Sequence, residues 1–160
     1  MSEGVEWATH CCLLLDWLGD ADPVPTAELA AAFEIPAPYL NKQLQALVRA
    51  GILTSTRGKR GGFALARPLD RITLLDVVDA IEGADPAFRC TEIRRCGLGA
   101  GTPNAAYRAP CDVAAAMHAA EAEWREALAA RTLAGVRQSA ERRLPHLGGE
   151  ARRWYADRRG

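Results

Sequence analysis

The sequence lacks any apolar run near 18 residues, and it has no basic segment followed by an apolar one. A membrane-spanning helix needs about 20 predominantly apolar residues, and a secretory signal needs the basic-then-apolar pattern. We therefore expect no membrane span, no signal peptide and a cytoplasmic location. The chain also lacks a Cys-X-X-Cys motif, a glycine-rich nucleotide loop and a nucleophile–base signature. These absences argue against an enzyme, such as a small redox enzyme that uses its thiols, and against a small-molecule substrate.

Lysine and arginine are absent from residues 1–30, although the chain as a whole balances 20 basic against 20 acidic residues. Residues 38–71 carry a local excess of basic side chains and only one acidic residue, Asp70. The basic residues of this segment are Lys42, Arg49, Arg57, Lys59, Arg60, Arg67 and Arg71. This asymmetry favours a local phosphate-binding surface. A merely solvated basic face is the alternative that charge alone leaves open.

Residues with β-branched side chains are scarce outside 52–56 and 72–78, and alanine is abundant, which predicts a mostly α fold with a small β-hairpin. We expect Thr26 to cap the second helix, and Thr73 with Asp76 to form a capping box on the fourth. The charged tail after Pro145 carries no predicted element. Apolar spacing predicts helices over 3–18, 27–33, 38–50, 73–82 and 112–133, the last ending near residue 135, and strands over 52–56 and 63–66.

The order helix, turn, helix and hairpin predicts a winged helix-turn-helix, whose second helix enters the major groove of double-stranded DNA. On that helix we expect Tyr39, Lys42 and Gln43 to contact DNA, because glutamine reads adenine edges and lysine binds guanine or phosphate. Asn41 and Gln45 also lie there. The glycine-rich tip of the hairpin carries three positive charges, which suit phosphate or a narrow minor groove. These wing residues are Arg57, Lys59 and Arg60.

Cysteine occurs five times, an odd number that argues against a disulfide framework in a reducing compartment. We expect Cys11 and Cys12 to be buried helix residues, because cysteine behaves as a small hydrophobe. Cys90, Cys96 and Cys111 lie instead in a long irregular stretch, which needs disorder, a lid or a bound metal to explain it. Zinc, or no metal, remains an alternative for these three thiols.

Residues 30–83 resemble the Rrf2 family of winged-helix transcription regulators, in a YL…L…L…AG(I/L)L…RG…GG(F/Y)…RP…ITLLDVV pattern. The resemblance extends to about residue 136. The motifs GVEWA and HCC in residues 4–12, DPAF in 85–88 and CTEIR in 90–94 are similar to those of redox-responsive members.

The resemblance implies a homodimer that pairs through its long helix and holds a 2Fe–2S cluster across the interface. It implies Cys90 and Cys111 of one subunit, with Glu6 and His10 of the other, as ligands. Without the resemblance, Glu6 and His10 would be interpreted as a surface pair one helical turn apart. Fourteen residues separate Cys96 from Cys111, whereas three-cysteine members keep these residues close, so Cys96 is an alternative third ligand.

These expectations combine into a DNA-binding regulator that senses redox state through the cluster. Trp7 is predicted to lie near the cluster and to respond to it, with core packing as the alternative. A three-cysteine cluster that senses nitric oxide or iron would also suit these residues, as would a cluster-free or zinc-bearing repressor. The predicted organisation is a winged helix-turn-helix (1–83), a cluster-binding loop (84–111), a dimerisation helix (112–136) and a tail (137–160).

Overall fold

The computed structural model describes residues 1–19, 22–58 and 61–158. It divides into one unit formed by Met1–Gly83 with Leu128–Gly160, and a second formed by Ala84–Ala127. The mostly helical fold with a small hairpin is confirmed. The helices are α1 (Glu3–Leu18), α2 (Thr26–Ala32), α3 (Ala37–Arg49), α4 (Leu74–Glu82), α5 (Asp112–Ala129), α6 (Leu133–Arg143) and α7 (Leu147–Asp157), and the strands are β1 (Leu53–Thr56) and β2 (Gly62–Leu65).

Helix α1 forms the centre of the first unit, with α3, α4, α6 and α7 packed around it. Most of its residues are buried, including Cys11 and Cys12, which are fully inaccessible. The predicted burial of these two cysteines is therefore confirmed. Burial favours the neutral thiol and raises the pKa of Cys11 to about 12. Burial, with a smaller contribution from repulsion by Cys11, raises the pKa of Cys12 still further. Neither thiol is an accessible metal ligand in this packing.

Helices α2 and α3 form the helix-turn-helix. The backbone of Glu34 takes a left-handed conformation (φ 54°), and the amide of Ile35 donates to the carbonyl of Ala30 at 2.9 Å. The expected cap at Thr26 is wrong: Pro25 occupies the cap position and no side chain caps the helix. The Thr26 hydroxyl lies instead 3.4 Å from Asn41 Oδ1, so it connects the two helices.

Strands β1 and β2 pair antiparallel, with Leu53 opposite Leu65 and Thr56 opposite Gly62. Val24 adds a short third segment, because its amide and carbonyl both bond to Phe63 at 2.9 Å. A Cβ at Gly62 would lie 2.4 Å from the Val24 backbone, so glycine is required for this close approach. The segment before the helix-turn-helix thus anchors the wing.

Helix α4 begins with the predicted capping box. The Thr73 hydroxyl accepts from the Asp76 amide at 3.1 Å, and the Asp76 carboxylate accepts from the Thr73 amide at 2.8 Å. The same corner meets the start of α6, since Leu74 and Leu133 donate backbone hydrogen bonds to Arg131 and Ile72.

The predicted continuous helix over 112–133 is wrong in extent. Helix α5 ends at Ala129, and Thr132 caps a separate α6 by accepting from the Gly135 amide at 3.2 Å. Gly135 therefore lies inside the first turn of a helix rather than at the end of one. The physical reason is the bridge between Thr132 and Thr73, which holds this segment in an extended conformation.

The tail after Pro145 forms helix α7, for which the sequence predicted no element. Tyr155 is buried in the core, and Trp17 and Trp154 are half-buried against it. Arg152 donates to the Trp17 carbonyl at 3.0 Å, and Arg158 pairs with Glu28 of α2 at 2.8 Å. Helix α7 therefore packs on α1 and bonds to the first helix of the helix-turn-helix.

The second unit is an irregular segment of three short 3-10 turns followed by α5. The start of the segment contacts α5, because the Ala87 amide donates to Glu121 at 3.0 Å and the Phe88 ring meets His118 edge-on at 5.9 Å. Within the described ranges, no helix combines the length and the apolar content needed to cross a bilayer.

Candidate DNA interface and candidate metal ligands

Helix α3 buries Leu40, Leu44 and Leu47, and its exposed residues include Tyr39, Asn41 and Lys42. Tyr39 is 67% exposed, and Lys42 is also exposed. These two predicted DNA contacts therefore lie on an open surface of the second helix of the motif. Their chemistry suits a groove of DNA, because an aromatic ring and a cation can contact base edges and phosphate.

Gln43 lies in a different environment from the other two predicted contacts. It is half-buried, and a Cβ built on Gly4 would lie 2.8 Å from the Gln43 Cδ and Nε2 atoms. The Gln43 amide therefore packs against Gly4 in the first turn of α1. Gln43 is therefore half-buried beside α1, whereas Tyr39 and Lys42 are exposed.

A polar cleft of about 300 Å³ separates α3 from the wing. Asn41 and Gln45, which are one helical turn apart, line it from α3, and Arg57 lines it from the wing. Amide side chains with a nearby cation match the pairings that read adenine and guanine edges. Arg57 is exposed, whereas the predicted contacts Lys59 and Arg60 lie outside the described residues. Asn41 and Gln45 were not singled out from sequence, although their spacing of four residues was the available signal.

Glu6, Trp7 and His10 line one open pocket of about 260 Å³ on α1. Glu6 and His10 are exposed, and Trp7 is half-buried against the core. Phe33 and Ile35 complete the pocket, and the His10 and Phe33 rings lie 5.6 Å apart at 54°. The predicted ligand pair thus shares a pocket with the predicted redox-coupled tryptophan, beside the turn between α2 and α3. Sequence reasoning missed Phe33, because only the packing of α2 on α1 brings it there.

Cys90 and Cys96 are exposed and Cys111 is half-buried, all three within the second unit. Cys90 Sγ accepts from the Glu92 amide at 3.4 Å. Over residues 1–19, 22–58 and 61–158, no group of three histidine, cysteine or acidic side chains has the arrangement of a metal site. The chain therefore presents one pair of donor side chains on α1 and three thiols in the irregular segment.

Arg94 is the most connected side chain of the irregular segment. Its guanidinium bonds both carboxylate oxygens of Glu92, at 2.5 and 2.9 Å. This hydrogen bonding lowers the pKa of Glu92 and raises the pKa of Arg94. The charges of Cys111 and Asp112 raise the pKa of Arg94 further. Sequence reasoning assigned no role to Arg94, since a spacing of two residues from an acid carries no structural signal.

The helix-turn-helix, its wing and the exposed residues of α3 together form a winged helix-turn-helix, which is the architecture of a class of DNA-binding domains. The Rrf2 family profile, described as iron-dependent transcriptional regulator, matches residues 1–138. The chain belongs to the Rrf2 family.

Curated relatives match little more than half of the chain. It is 35% identical over 89 residues to YwgB of Bacillus subtilis, named as an HTH-type transcriptional regulator, which is 56% of this chain and 57% of that protein. It is 33% identical over 90 residues to protein rrf2 of Nitratidesulfovibrio vulgaris, which is 56% of this chain and 60% of that protein. The chain thus spans less than two thirds of the length of these relatives.

Solved structures share the fold over most of the chain. IscR of T. potens superposes with a TM-score of 0.65 at 20% identity, covering 90% of both chains. CymR, the global cysteine regulator of B. subtilis, superposes with a TM-score of 0.61 at 21% identity, covering 87% of this chain and 96% of that chain. At these identities the likeness extends to the fold alone. Helix α7 lies beyond the residues that the family profile matches.

Proposed function

We propose that this regulator binds DNA as a homodimer and senses redox state through a 2Fe–2S cluster held across the dimer interface. Cys90 and Cys111 of one subunit and Glu6 and His10 of the other are the proposed ligands. The observation that carries the proposal is the pocket on α1, where Glu6, Trp7 and His10 lie together beside Phe33 of the helix-turn-helix. A change of charge at this pocket acts directly on the turn that precedes the recognition helix.

The donor set suits such a cluster. Thiolates are the usual ligands of iron–sulfur clusters, and histidine replaces cysteine on one iron of some 2Fe–2S centres. A carboxylate is a harder ligand and suits ferric iron. A cluster with two ligands from each subunit requires two donors on α1 and two thiols in the irregular segment. Glu6, His10 and Cys90 are exposed, and Cys111 is half-buried. The cluster supplies a one-electron change of charge.

Dimerisation is proposed through α5. Val113 is 63% exposed, Met117 46% and Trp124 39%, and their spacing places them on one face of the helix. Large apolar side chains on one exposed stripe indicate a contact surface rather than a solvated face. A second copy of the same helix is the simplest partner, because most soluble oligomers are symmetric homodimers.

Anaerobic purification with an absorption spectrum and an iron count tests the cofactor. We expect a coloured protein, because thiolate-bound iron absorbs visible light whereas zinc does not. The iron count should approach two per subunit, because a symmetric dimer has two equivalent sites. A colourless, zinc-loaded protein would replace the proposal with a zinc-bearing repressor of the same fold.

Electron paramagnetic resonance of the reduced protein tests the ligands on α1. Glu6→Ala and His10→Ala are expected to change the spectrum, since each removes a donor from the same iron. Glu3→Ala and His146→Ala remove the same residue types from exposed positions outside the pocket and serve as matched controls. Parent-like spectra in both ligand variants would exclude the assignment.

Titration of a fluorescent operator with oxidised and reduced protein tests the response. Two states with different DNA affinity are what an allosteric regulator requires. We expect the difference in affinity to disappear in Cys111→Ser. Equal affinity of the parent protein in both redox states would contradict redox sensing while leaving DNA binding intact.

A further inference from the structure

Arg94 connects two separate stretches of the irregular segment. Its guanidinium bonds the Glu92 carboxylate through Nε and Nη2, and Nη2 also donates to the Ala109 carbonyl at 3.1 Å. The side chains of Arg94 and Glu92 are each only 29% exposed. Because a planar guanidinium fixes several acceptors at once, one arginine holds residues 92 and 109 together.

Tyr107 contacts both the side chain and the backbone of Arg94. The Arg94 guanidinium lies over the Tyr107 ring at 5.5 Å, and that of Arg95 lies over it at 5.3 Å. The Tyr107 hydroxyl is within hydrogen-bond distance of two carbonyls, Arg94 at 3.0 Å and Gly99 at 2.8 Å. A Cβ at Gly99 would lie 1.6 Å from the Arg94 carbonyl oxygen, so this packing requires glycine. The arginine is therefore fixed at both its backbone and its side chain.

The two positions joined by Arg94 are each two residues from a cysteine. Cys90 precedes Glu92 by two residues and its sulfur accepts from the Glu92 amide, whereas Cys111 follows Ala109 by two residues. Two residues of chain span at most about 7 Å. Cys96 is exposed, as Cys90 is, and it follows Arg94 by two residues, but the Arg94 guanidinium bonds residues 92 and 109.

We propose that Arg94 is a positioning residue that pairs Cys90 with Cys111 in the absence of any cluster and leaves Cys96 outside the pair. The role of this pair as cluster ligands rests on the proposed function. The pairing itself is a property of the polypeptide and can be measured without iron. It gives a physical reason why two thiols far apart in the chain come together.

The test treats the full-length chain, freed of metal by a chelator, with the bifunctional thiol reagent dibromobimane, and maps the bridged peptides by mass spectrometry. Three bridges compete: Cys90–Cys96, Cys90–Cys111 and Cys96–Cys111. We expect Cys90–Cys111 to dominate in the parent protein. In Arg94→Gln its ratio to the other two bridges should fall about tenfold, because the charge-assisted hydrogen bonds that join residues 92 and 109 are lost.

Arg95→Gln is the matched control. It removes the same charge from the neighbouring residue and from the same aromatic ring, and it should leave the ratio of bridges unchanged. Arg94→Lys keeps the charge but lacks the planar fork, so it should behave like Arg94→Gln. Tyr107→Phe removes only the hydroxyl and should shift the ratio in the same direction. It provides an independent test if Arg94→Gln folds poorly.

Two results would overturn the inference: a Cys90–Cys96 bridge that dominates in the parent protein, or an unchanged ratio in both Arg94 variants. Failure of the proposed function looks different. In that case the parent protein forms the Cys90–Cys111 bridge but takes up no iron on anaerobic reconstitution. Where iron is taken up, the electron paramagnetic resonance spectrum should differ from the parent in Arg94→Gln and not in Arg95→Gln.

Discussion

Asn41 and Gln45 show how packing separates neighbouring polar side chains on one helix. Both line the cleft between α3 and the wing, whereas Gln43, two residues from each, packs against Gly4 of α1. All three side chains carry an amide with the same chemistry, so the sequence does not distinguish them, and Gln43 was the residue predicted to contact DNA. The geometry favours the two residues of the cleft as base readers and gives Gln43 a contact with the first turn of α1.

Asn41→Ala and Gln45→Ala are therefore expected to weaken binding to the specific operator by about 1–3 kcal/mol, the range for one base-edge contact. Non-specific DNA should be bound with little change, since phosphate contacts remain. Fluorescence anisotropy against both DNAs measures the difference. Gln43→Ala is the comparison variant, and a larger selective loss in it than in the other two would return base reading to Gln43.

Cys11 and Cys12 give the folded state a distinct dependence on pH. Burial raises the pKa of Cys11 to about 12 and that of Cys12 further, whereas an unfolded thiol titrates near pH ~8.5. The folded state therefore keeps protons that the unfolded state loses. The contribution of these thiols is fully present below the unfolded pKa and is lost as pH rises from there towards the folded value.

The free energy of unfolding should thus fall between about pH 8.5 and 10, by at most about 1.4 kcal/mol per pH unit for each thiol. Urea denaturation across this range measures the slope. Cys11→Ala and Cys12→Ala should each flatten it, whatever they do to stability at neutral pH. Cys96→Ala, at an exposed position, is the control, and equal slopes in all four proteins would refute the account.

At the scale of elements, the capping box at Thr73 was predictable and the cap at Thr26 was not. A capping box is local, because its two partners lie three residues apart on the same helix end. The cap of α2 depends on where the chain enters the helix, and the bridge from Val24 to Phe63 of the wing fixes that entry. A contact between residues distant in sequence therefore overrode a local preference.

Helix α7 is the largest departure from the expected elements. Its segment is charged and begins with glycines, so no pattern predicted a helix. Its stability comes from Trp154 and Tyr155 packing against the core and from the bonds of Arg152 and Arg158 to α1 and α2. Short helices in proteins owe most of their stability to such packing rather than to propensity.

Tyr155→Ala is accordingly expected to lower the free energy of unfolding by about 3 kcal/mol, as for other large-to-small core substitutions. Arg153→Ala, at an exposed position on the same helix, should change it little. Thermal and urea denaturation provide the measurement. Equal stability of the two variants would show that α7 does not contribute to the core.

At the scale of the whole molecule, the exposed stripe on α5 bears on assembly. A charge at its centre should prevent close packing of two copies, so Met117→Glu is expected to yield monomers. Ala119→Glu introduces the same charge on the opposite face of the helix and should leave the dimer intact. Light scattering after gel filtration distinguishes the two, and a dimeric Met117→Glu protein would place the interface elsewhere.

One predicted segment, the dimerisation helix, is not a single helix in the structure. The helix expected over 112–136 is broken between Ala129 and Leu133, and the part after the break packs with the first unit. Composition could not reveal this, because Thr132 is held by a bridge to Thr73, which lies far earlier in the chain. The roles assigned to the four predicted segments remain predictions.

The sequence by itself determined the elements as far as α4, the winged helix-turn-helix, the burial of Cys11 and Cys12 and the family, because periodicity, turn residues and motif spacing are local properties of the chain. Only the tertiary structure decided which polar residues of α3 face the wing, which ring lies against His10, which arginine joins the cysteine-bearing stretches and that the tail is a helix. Each of these depends on contacts between residues far apart in sequence, and such contacts exist only once the core has formed.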